Sequence, residues 1–250
     1  MVRLSIVIPC AERAERFEDI LVSVLQNRPK DCEVLVVQPR PYDDPYDLCD
    51  EVRFVEAVSS SSVVDLINVG VRASRSPIIH LLSCDTLVES GWTDAALLQF
   101  EDERTGSVSP VLTQPGQRNQ IVTTGIDFGI GGELIHRNRS VAKDQIKRQR
   151  TLGPTLHAAF YRRQALLDAG CFRREAGSLS HVDMALQLRI NGLRHAVEAD
   201  SKVTMARRFK QPLSLASGKQ AEQLFWQYAS SRGLLASLIA HPAAVASETF

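Results

Sequence analysis

Residues 4–9 read Leu-Ser-Ile-Val-Ile-Pro, a short and mostly apolar segment from which the fold class can be predicted. It is rich in β-branched residues and closed by proline, which is typical of a strand buried on both faces of a sheet. Residues 32–37, Cys-Glu-Val-Leu-Val-Val, form a second run of the same kind. Between the two runs, apolar side chains recur at helical spacing, so residues 15–26 are predicted to form an amphipathic helix. The chain therefore opens with a β-α-β unit whose strands are parallel.

The same alternation continues outward from this unit. Residues 52–58 and 78–82 are predicted strands, and residues 62–73 between them are a predicted helix that Ser61 or Ser62 can cap. The remaining predicted elements are a helix over 92–100, a strand over 106–112, long loops over 113–156, a strand over 157–161, a helix ending at Ala169 with Gly170 as its cap, and a helix over 181–190 that stops at Asn191-Gly192. This pattern predicts an α/β sheet with helices on both faces and ligands at the carboxyl ends of its strands.

The length of 250 residues suits one main α/β domain. We expect that domain to cover residues 1–210. The tail from Lys219 to His241 has a helical pattern, so residues 211–250 are predicted to be a C-terminal helical extension packed on the domain.

Composition excludes several classes of protein. The formal net charge is zero, whereas a general nucleic-acid binder needs excess Lys and Arg. The five cysteines are widely spaced and form no C-x-x-C pair, so we expect reduced thiols in a cytoplasmic protein. Residues 4–8 are too short for a signal-peptide core, and no segment approaches the ~20 apolar residues that cross a bilayer. We therefore expect at most peripheral membrane contact.

The first strand leads into Pro9-Cys10-Ala11-Glu12, where a dinucleotide-binding fold would carry a glycine-rich phosphate loop. Nicotinamide and P-loop chemistry are thereby disfavoured. A single acid, Asp85, follows the apolar run over 78–82 and reaches the sheet edge where a ligand should lie. A carboxylate there can hold Mg²⁺ or Mn²⁺ against a diphosphate, or it can cap a turn.

A series of segments along the chain carries a family resemblance. These segments are Ser5–Pro9, Leu21–Gln26, Glu33–Val37, Asn68-Val69-Gly70 with Ala73, Leu81–Trp92, Thr124–Asp127 with Gly132, Ala159–Arg163, Ala169–Phe172, and Val182–Arg189 closed by Gly192. In order and spacing they resemble the family 2 glycosyltransferases over residues 4–205, and rhamnosyltransferase-like members match best.

The resemblance implies the GT-A fold, a single α/β domain with a mostly parallel central sheet and helices on both faces. It also implies inverting transfer of a sugar from a nucleoside diphosphate donor to a hydroxyl of a glycan or lipid-linked acceptor, as in polysaccharide biosynthesis. By the same resemblance, Asp85 binds Mn²⁺ or Mg²⁺. Pro9 and Gln38 are expected to contact the donor at the ends of the first two strands, although Gln38-Pro39-Arg40 stands where the family has a pair of acids, one of which contacts the nucleotide base.

The chain departs from the family at the metal motif. The family carries an acid or Asn two residues before its final Asp, where this chain has Ser83. A metal-binding His that many members carry past the last strand is missing. Arg207 and Arg208 stand nearby and can neutralise a diphosphate directly, without a metal, or form a solvated basic turn.

The general-base motif is altered as well. The family segment E-D-x-D supplies the base as its first Asp and corresponds here to Ser180-His181-Val182-Asp183. His181 takes the base position, and a neutral imidazole can remove a hydroxyl proton. Asp183 is the second candidate for the base, and His181 can instead be a capping or surface residue. Arg189 is expected to position the last helix or to contact phosphate.

Two other functions stay open. One is a noncatalytic member that keeps the fold to bind a nucleotide sugar or a partner protein. The other is a polysaccharide-binding surface without a nucleotide site. The basic stretch over residues 137–150 suits an anionic acceptor, a lipid-linked phosphate or a membrane surface, and it suits an exposed helix face equally.

Overall fold

The structure, a computed structural model, describes residues 2–11, 18–58, 62–114, 120–128, 134–137, 146, 150–206 and 215–228. The strands are β1 (Leu4–Pro9), β2 (Cys32–Gln38), β3 (Val52–Glu56), β4 (Ile78–Leu82), β5 (Thr86–Val88), β6 (Thr105–Thr113), β7 (Ile121–Thr123), β8 (Ile126–Phe128), β9 (Leu134–His136), β10 (Ala158–Arg162) and β11 (Arg194–Met205). The helices are α1 (Glu18–Asn27), α2 (Val63–Ala73), α3 (Asp94–Leu98), α4 (Arg163–Asp168), α5 (Ser180–Ile190) and α6 (Leu215–Tyr228), with 3₁₀ turns at Gln99–Glu101 and Gly177–Leu179.

A central sheet in the order β3-β2-β1-β4-β10-β6-β11-β5, with β7 added to β6, organises the described part of the chain. Strands β1 to β4 are parallel neighbours, and every residue of β1 and β4 is buried. Strands covered on both faces read as continuous apolar runs, which is why the sequence predicted β1, β2 and β4 within one residue of their observed ends.

Helices cover both faces of this sheet, as expected. Side chains of β1 alternate between two cores: Ile6 and Ile8 pack with α1 and Trp92, whereas Val7 packs with α2, α4 and α5. Trp92 is almost fully buried between the sheet and the helix layer that contains α1. The predicted start of α1 at residue 15 lies outside the described residues, which resume at Glu18.

The predicted helix boundaries at α2, α4 and α5 are confirmed. Ser62 caps α2, because its hydroxyl accepts a 3.2 Å hydrogen bond from the Asp65 amide. Gly170 and Gly192 follow α4 and α5 with φ of +78° and +79°, the left-handed conformation that ends helices. Within α2, Gly70 lies against the Val7 side chain, where a Cβ atom would collide.

Several features differ from the sequence-based expectation. Strand β11 was not predicted, because its charged residues break the apolar pattern, and it is stabilised by pairing with β6. The segment expected to be long loops contains β7, β8 and β9, which are only three residues long each. Strand β10 enters the sheet antiparallel to both of its neighbours, β4 and β6.

The described part of the C-terminal tail is α6, which starts at Leu215 rather than at the predicted Lys219. Leu224 and Tyr228 bury against Leu179, Val182 and Leu186 of the 3₁₀ turn and α5. The domain boundary near residue 210 stays a prediction, since 207–214 lie outside the described residues. Among the helices described, none has both the length and the apolar character needed to cross a membrane.

Candidate functional site

The carboxyl ends of β1, β2 and β4 form one edge of the sheet, here called the rim. Pro9 ends β1 and Gln38 ends β2, while Asp85 follows β4 by three residues. Pro9 lies opposite Val37 in the parallel ladder, and Gln38 is the next residue of β2. The two strands are about 4.8 Å apart, so Pro9 and Gln38 are neighbours. The structure thus brings three of the predicted donor-binding residues to one place.

Pro9 and Gln38 shape the floor of this rim by their backbones. Both residues are buried, and the Gln38 carbonyl accepts a 2.7 Å hydrogen bond from the Ala57 amide. Their contact with a donor stays a prediction.

Asp85 lies in a tight turn that begins at Ser83. The Thr86 hydroxyl donates to the Ser83 carbonyl at 2.8 Å, and the Ala206 amide at the end of β11 donates to the Asp85 carbonyl at 2.6 Å. The Ser83 hydroxyl donates to Asp85 Oδ1. The backbone of Asp85 is therefore fixed from two sides, while 38% of its side chain stays exposed to solvent.

His157 approaches Asp85 because β10 runs antiparallel to β4. The β10 strand starts at the same edge where β4 ends, so His157 arrives beside Ser83 and its carbonyl accepts a 2.9 Å hydrogen bond from the Ser83 amide. The His157 Nδ1 atom lies 3.5 Å from Asp85 Oδ1 and 3.3 Å from the Ser83 hydroxyl oxygen.

Burial by itself raises the pKa of the Asp85 carboxyl, but the hydrogen bonds from His157 and Ser83 outweigh it and leave that pKa below its usual value. Asp85 is therefore ionised at neutral pH. An ionised, partly exposed carboxylate is what a cation or a hydrogen-bond donor on a ligand requires at this position.

Two more imidazoles, those of His136 and His181, lie near His157. The pKa of His181 is lowered to about 3, mainly by burial and also by the nearby His136 and His157, while a hydrogen bond to the backbone of Ser178 opposes the shift. Burial and His157 likewise lower the pKa of His136. His181 is accordingly neutral at physiological pH, and its Nδ1 atom is buried with no hydrogen-bond partner among the described residues.

Asp183, the second candidate for the base, is fully buried in the first turn of α5. Its oxygens accept hydrogen bonds from Tyr228 at 2.7 Å, from Gln187 at 2.7 Å and from Arg173 at 3.4 Å. A carboxylate with three donors and no exposed surface is suited to holding α5, α6 and the Arg173 loop together.

Of the three arginines predicted to contact phosphate, the structure describes one. Arg189 lies exposed in the last turn of α5, about 12 Å along the helix axis from His181. A cation there interacts favourably with the helix dipole, and its contact with phosphate stays a prediction. Arg207 and Arg208 lie outside the described residues.

Most of the basic stretch over residues 137–150 also lies outside the described residues. Its first member, Arg137, is engaged: Nε and Nη2 donate to Asp127 Oδ2 at 2.9 and 2.5 Å, which clamps the β8–β9 hairpin beside His136.

Sequence reasoning missed His157 and His136 as residues of the site. The sequence does contain a signal for His157, because this polar residue immediately precedes the apolar run 158–161 and so lies at the end of a predicted strand. It was not usable, because nothing in the local pattern shows that β10 runs antiparallel.

A second polar cluster lies in the loop between β2 and β3. Ligand atoms of Asp44, Asp47 and Cys49 lie within 4.8 Å of one another. Both Asp44 oxygens accept from the Leu48 amide, and the hydrogen bond to Asp47 raises the pKa of the Cys49 thiol. The side chains of Asp44, Asp47 and Cys49 all take part in hydrogen bonds within this loop.

Solved structures share this architecture. GalNAc-T7 with UDP, GalNAc and Mn²⁺ superposes with a TM-score of 0.70 at 11% identity, over 89% of this chain and 47% of that one. The mannosyltransferase PcManGT from Pyrobaculum calidifontis, in complex with GDP-Man and Mn²⁺, gives 0.60 at 17% identity, over 98% and 80% of the two chains. The S. aureus TarS 1-349 structure gives 0.60 at 16% identity, over 89% and 64%.

These likenesses establish the GT-A fold. The chain spans less than two thirds of the GalNAc-T7 and TarS chains that it matches. No curated protein matches the chain in sequence.

The family model described as Glycosyl transferase family 2 matches residues 5–169. The match runs from β1 through α4 and so includes Asp85, His136 and His157. Since it covers more than half of the chain, the protein belongs to glycosyl transferase family 2.

Proposed function

We propose that the protein transfers a sugar from a nucleoside diphosphate donor to an acceptor hydroxyl, with inversion at the sugar carbon. The observation that carries this proposal is the ionised, partly exposed carboxylate of Asp85 at the rim of the parallel strands. Family membership supports the reaction class, and two structures of the same fold contain UDP or GDP-Man together with Mn²⁺.

Asp85 fits the role of a ligand to Mn²⁺ or Mg²⁺. Hard cations prefer oxygen ligands, and this carboxylate is charged, reachable from solvent and fixed by the backbone of its turn. A divalent cation bound here supplies charge neutralisation for the diphosphate as it leaves. Pro9 and Gln38, on the adjoining strands, are proposed to line the nucleotide side of the same rim.

His181 is proposed as the general base. Its neutral Nδ1 atom accepts the proton of the acceptor hydroxyl while the oxygen forms a bond to the sugar carbon and the bond to the diphosphate breaks on the opposite face. Burial holds the pKa of His181 near 3, which makes the free protein a weak base. A bound diphosphate adds negative charge beside the three imidazoles, and this raises that pKa toward the working range.

Asp183 is proposed as a positioning residue instead of a base, because its oxygens are occupied by Arg173, Gln187 and Tyr228. Arg189, Arg207 and Arg208 are proposed to contact donor phosphate. The acceptor is proposed to be a glycan or a lipid-linked hydroxyl in cytoplasmic polysaccharide biosynthesis, with rhamnosyltransferases as the related subgroup.

One observation favours a second candidate function, a noncatalytic protein that binds a nucleotide sugar. The low pKa of His181 and the fully engaged Asp183 leave the acceptor side without a strong base. In such a protein the rim at Asp85 would bind the donor, and no sugar would be transferred.

Titration of the protein with UDP-, GDP- and dTDP-sugars, with and without Mn²⁺, tests these functions. Saturable binding followed by release of free nucleoside diphosphate, seen by ³¹P NMR, is the expected outcome. Binding without nucleotide release under a panel of glycan and lipid-linked acceptors supports the noncatalytic alternative. Absence of binding by every donor, with and without metal, would end both proposals.

A further inference from the structure

His157 is the feature of the rim that neither the family motifs nor the sequence analysis assigns a role. It lies 74 positions from Ser83 in the chain, yet its Nδ1 atom is 3.3 Å from the Ser83 hydroxyl and 3.5 Å from Asp85 Oδ1. The side chains of His157 and Asp85 are 33% and 38% exposed, so both face solvent at the rim while the strands behind them are buried.

The spacing of these atoms suits a shared cation. Two donor atoms each about 2.1 Å from one metal ion lie about 3.0 to 3.4 Å apart for bond angles between 90° and 109°. The observed separation of 3.5 Å between Nδ1 and Oδ1 is about 0.1 Å beyond the upper end of that range. A small rotation of either partly exposed side chain closes the difference.

Backbone contacts hold the pair in this arrangement. The Ser83 amide donates to the His157 carbonyl at 2.9 Å, which joins the start of β10 to the turn after β4. The Ala206 amide fixes the Asp85 carbonyl from the side of β11. The side chains of His157 and Asp85 are therefore held next to each other by the protein alone, before any cation or nucleotide binds. Such an arrangement is typical of a preorganised metal site.

The site is incomplete on its own. In the portion of the chain covered by the structure, the only trio of His, Cys, Asp or Glu ligand atoms within 4.8 Å of one another is Asp44, Asp47 and Cys49, so no third such residue joins Asp85 and His157. A cation bound by two protein side chains keeps several coordination positions for diphosphate oxygens and water.

We propose, on the basis of the proposed function, that His157 and Asp85 together bind the divalent cation of the donor complex, with the Ser83 hydroxyl beside them. His157 binds through Nδ1 in the tautomer that carries its proton on Nε2, so the cation takes the place of the Nδ1 hydrogen bond to Asp85. His157 thereby replaces the acid that the family carries at the position of Ser83. A mixed nitrogen and oxygen pair favours transition metals, so the site selects Mn²⁺ or Co²⁺ over Mg²⁺.

The affinity of the protein for Mn²⁺ in the presence of a nucleoside diphosphate tests the role of His157, and this measurement does not depend on sugar transfer. MnCl₂ is titrated into the protein with saturating UDP or GDP, and free Mn²⁺ is followed by its EPR signal. We expect His157→Ala to weaken Mn²⁺ binding in the ternary complex by at least about tenfold and to change Mg²⁺ binding much less.

Pulsed EPR identifies the ligand directly. The ternary complex with Mn²⁺ should show modulation from a coordinated ¹⁴N nucleus, and His157→Gln should abolish it. The same modulation should survive in His136→Gln, and in His195→Asn, which lies at the opposite end of β11 from the Asp85 contact. Thermal unfolding of each variant shows that it is folded.

The possible outcomes distinguish a failure of the His157 inference from a failure of the proposed transferase function. If nucleotide and Mn²⁺ bind the His157 variants as tightly as the wild type, or if the ¹⁴N signal is lost in His136→Gln instead, His157 is not the ligand and the donor site stands. If Mn²⁺ leaves nucleotide binding unchanged in the wild type, the inference fails while the transferase proposal survives. If no nucleoside diphosphate binds at all, both fail.

Discussion

The phenolic oxygen of Tyr228, in the last described residue of α6, lies 2.7 Å from Asp183 Oδ1 in the first turn of α5 and donates a hydrogen bond to it. Burial, followed by the adjacent carboxylate, raises the pKa of Tyr228 far above its usual value, so the hydroxyl stays a donor at any physiological pH. The contact joins the C-terminal helix to the segment that in the family supplies the general base.

Tyr228→Phe removes this donor and leaves the ring in place. A buried hydrogen bond to a charged group contributes about 1.5 to 3 kcal/mol, so the free energy of unfolding should fall by that amount in urea titrations. Gln227→Ala, an exposed change on the same helix, is the matched control and should stay within about 0.5 kcal/mol of wild type. An unchanged unfolding free energy for Tyr228→Phe would mean that the contact does not anchor α6.

His181→Gln should lower kcat by about 10²- to 10⁴-fold while the dissociation constant of the donor stays nearly constant, because a general base acts only in the chemical step. Asp183→Asn should show the opposite pattern, a loss of stability with a smaller effect on kcat. Single-turnover kinetics and donor titrations separate the two. Full turnover in His181→Gln would exclude this residue as the base.

Asp85→Asn should weaken donor binding by at least about tenfold, or about 1.4 kcal/mol, when Mn²⁺ is present. Without metal the change should be small, because the amide keeps the size and most hydrogen bonds of the carboxylate. Calorimetric titration of the same donor with Mn²⁺ and with EDTA gives both numbers. Equal losses under the two conditions would show that Asp85 contacts the donor without a metal.

His80 makes stability depend on pH. It is fully buried in β4, stacks on Phe160 at a ring distance of 3.6 Å, and burial lowers its pKa from 6.5 to about 3. Between these values the unfolded chain binds the proton and the folded chain does not, so the free energy of unfolding falls as the pH is lowered from 6.5 toward 3.

For this one imidazole the expected slope is about 1.4 kcal/mol per pH unit well inside that window. His80→Phe should reduce the slope of unfolding free energy against pH by about this amount in urea titrations at pH 5.5, 5 and 4.5. Phe160→Leu is the control: it removes the stacked ring and lowers stability at every pH, but it should leave the slope as it is. A slope that is the same in His80→Phe would place the titration elsewhere.

The sequence was most informative where one physical requirement dominates. Strands β1, β2 and β4 are buried on both faces, so their residues are almost all apolar and their positions follow from the sequence itself. Ser62 and Gly170 mark helix ends because capping and left-handed backbone each restrict the residue type. Asp85 could be placed at the rim because a parallel strand delivers the residues after it to a known edge of the sheet.

Strand β11 shows why the rest could not be predicted. It contains both buried and exposed positions, and several of its residues are charged, so it has no continuous apolar run. Its pairing with β6 shifts register twice. The residues of β11 alone therefore do not indicate that it pairs with β6. The neighbourhood of His157 and Asp85 depends on the reversed direction of β10, which is a property of the assembled sheet. The hydrogen bond that Asp183 accepts from Tyr228 likewise depends on where α6 packs in the folded chain.

The reversed entry of β10 has a consequence for how this molecule can be divided. A fragment that stops short of residue 157 would retain the first four strands and Asp85, but β4 would present a bare edge where β10 belongs. Such an edge invites pairing with other chains, and the rim would lose its imidazole. The part of the sheet formed by β1 to β4 is therefore not an autonomous module, and neither recombination nor engineering can exchange it without also carrying β10.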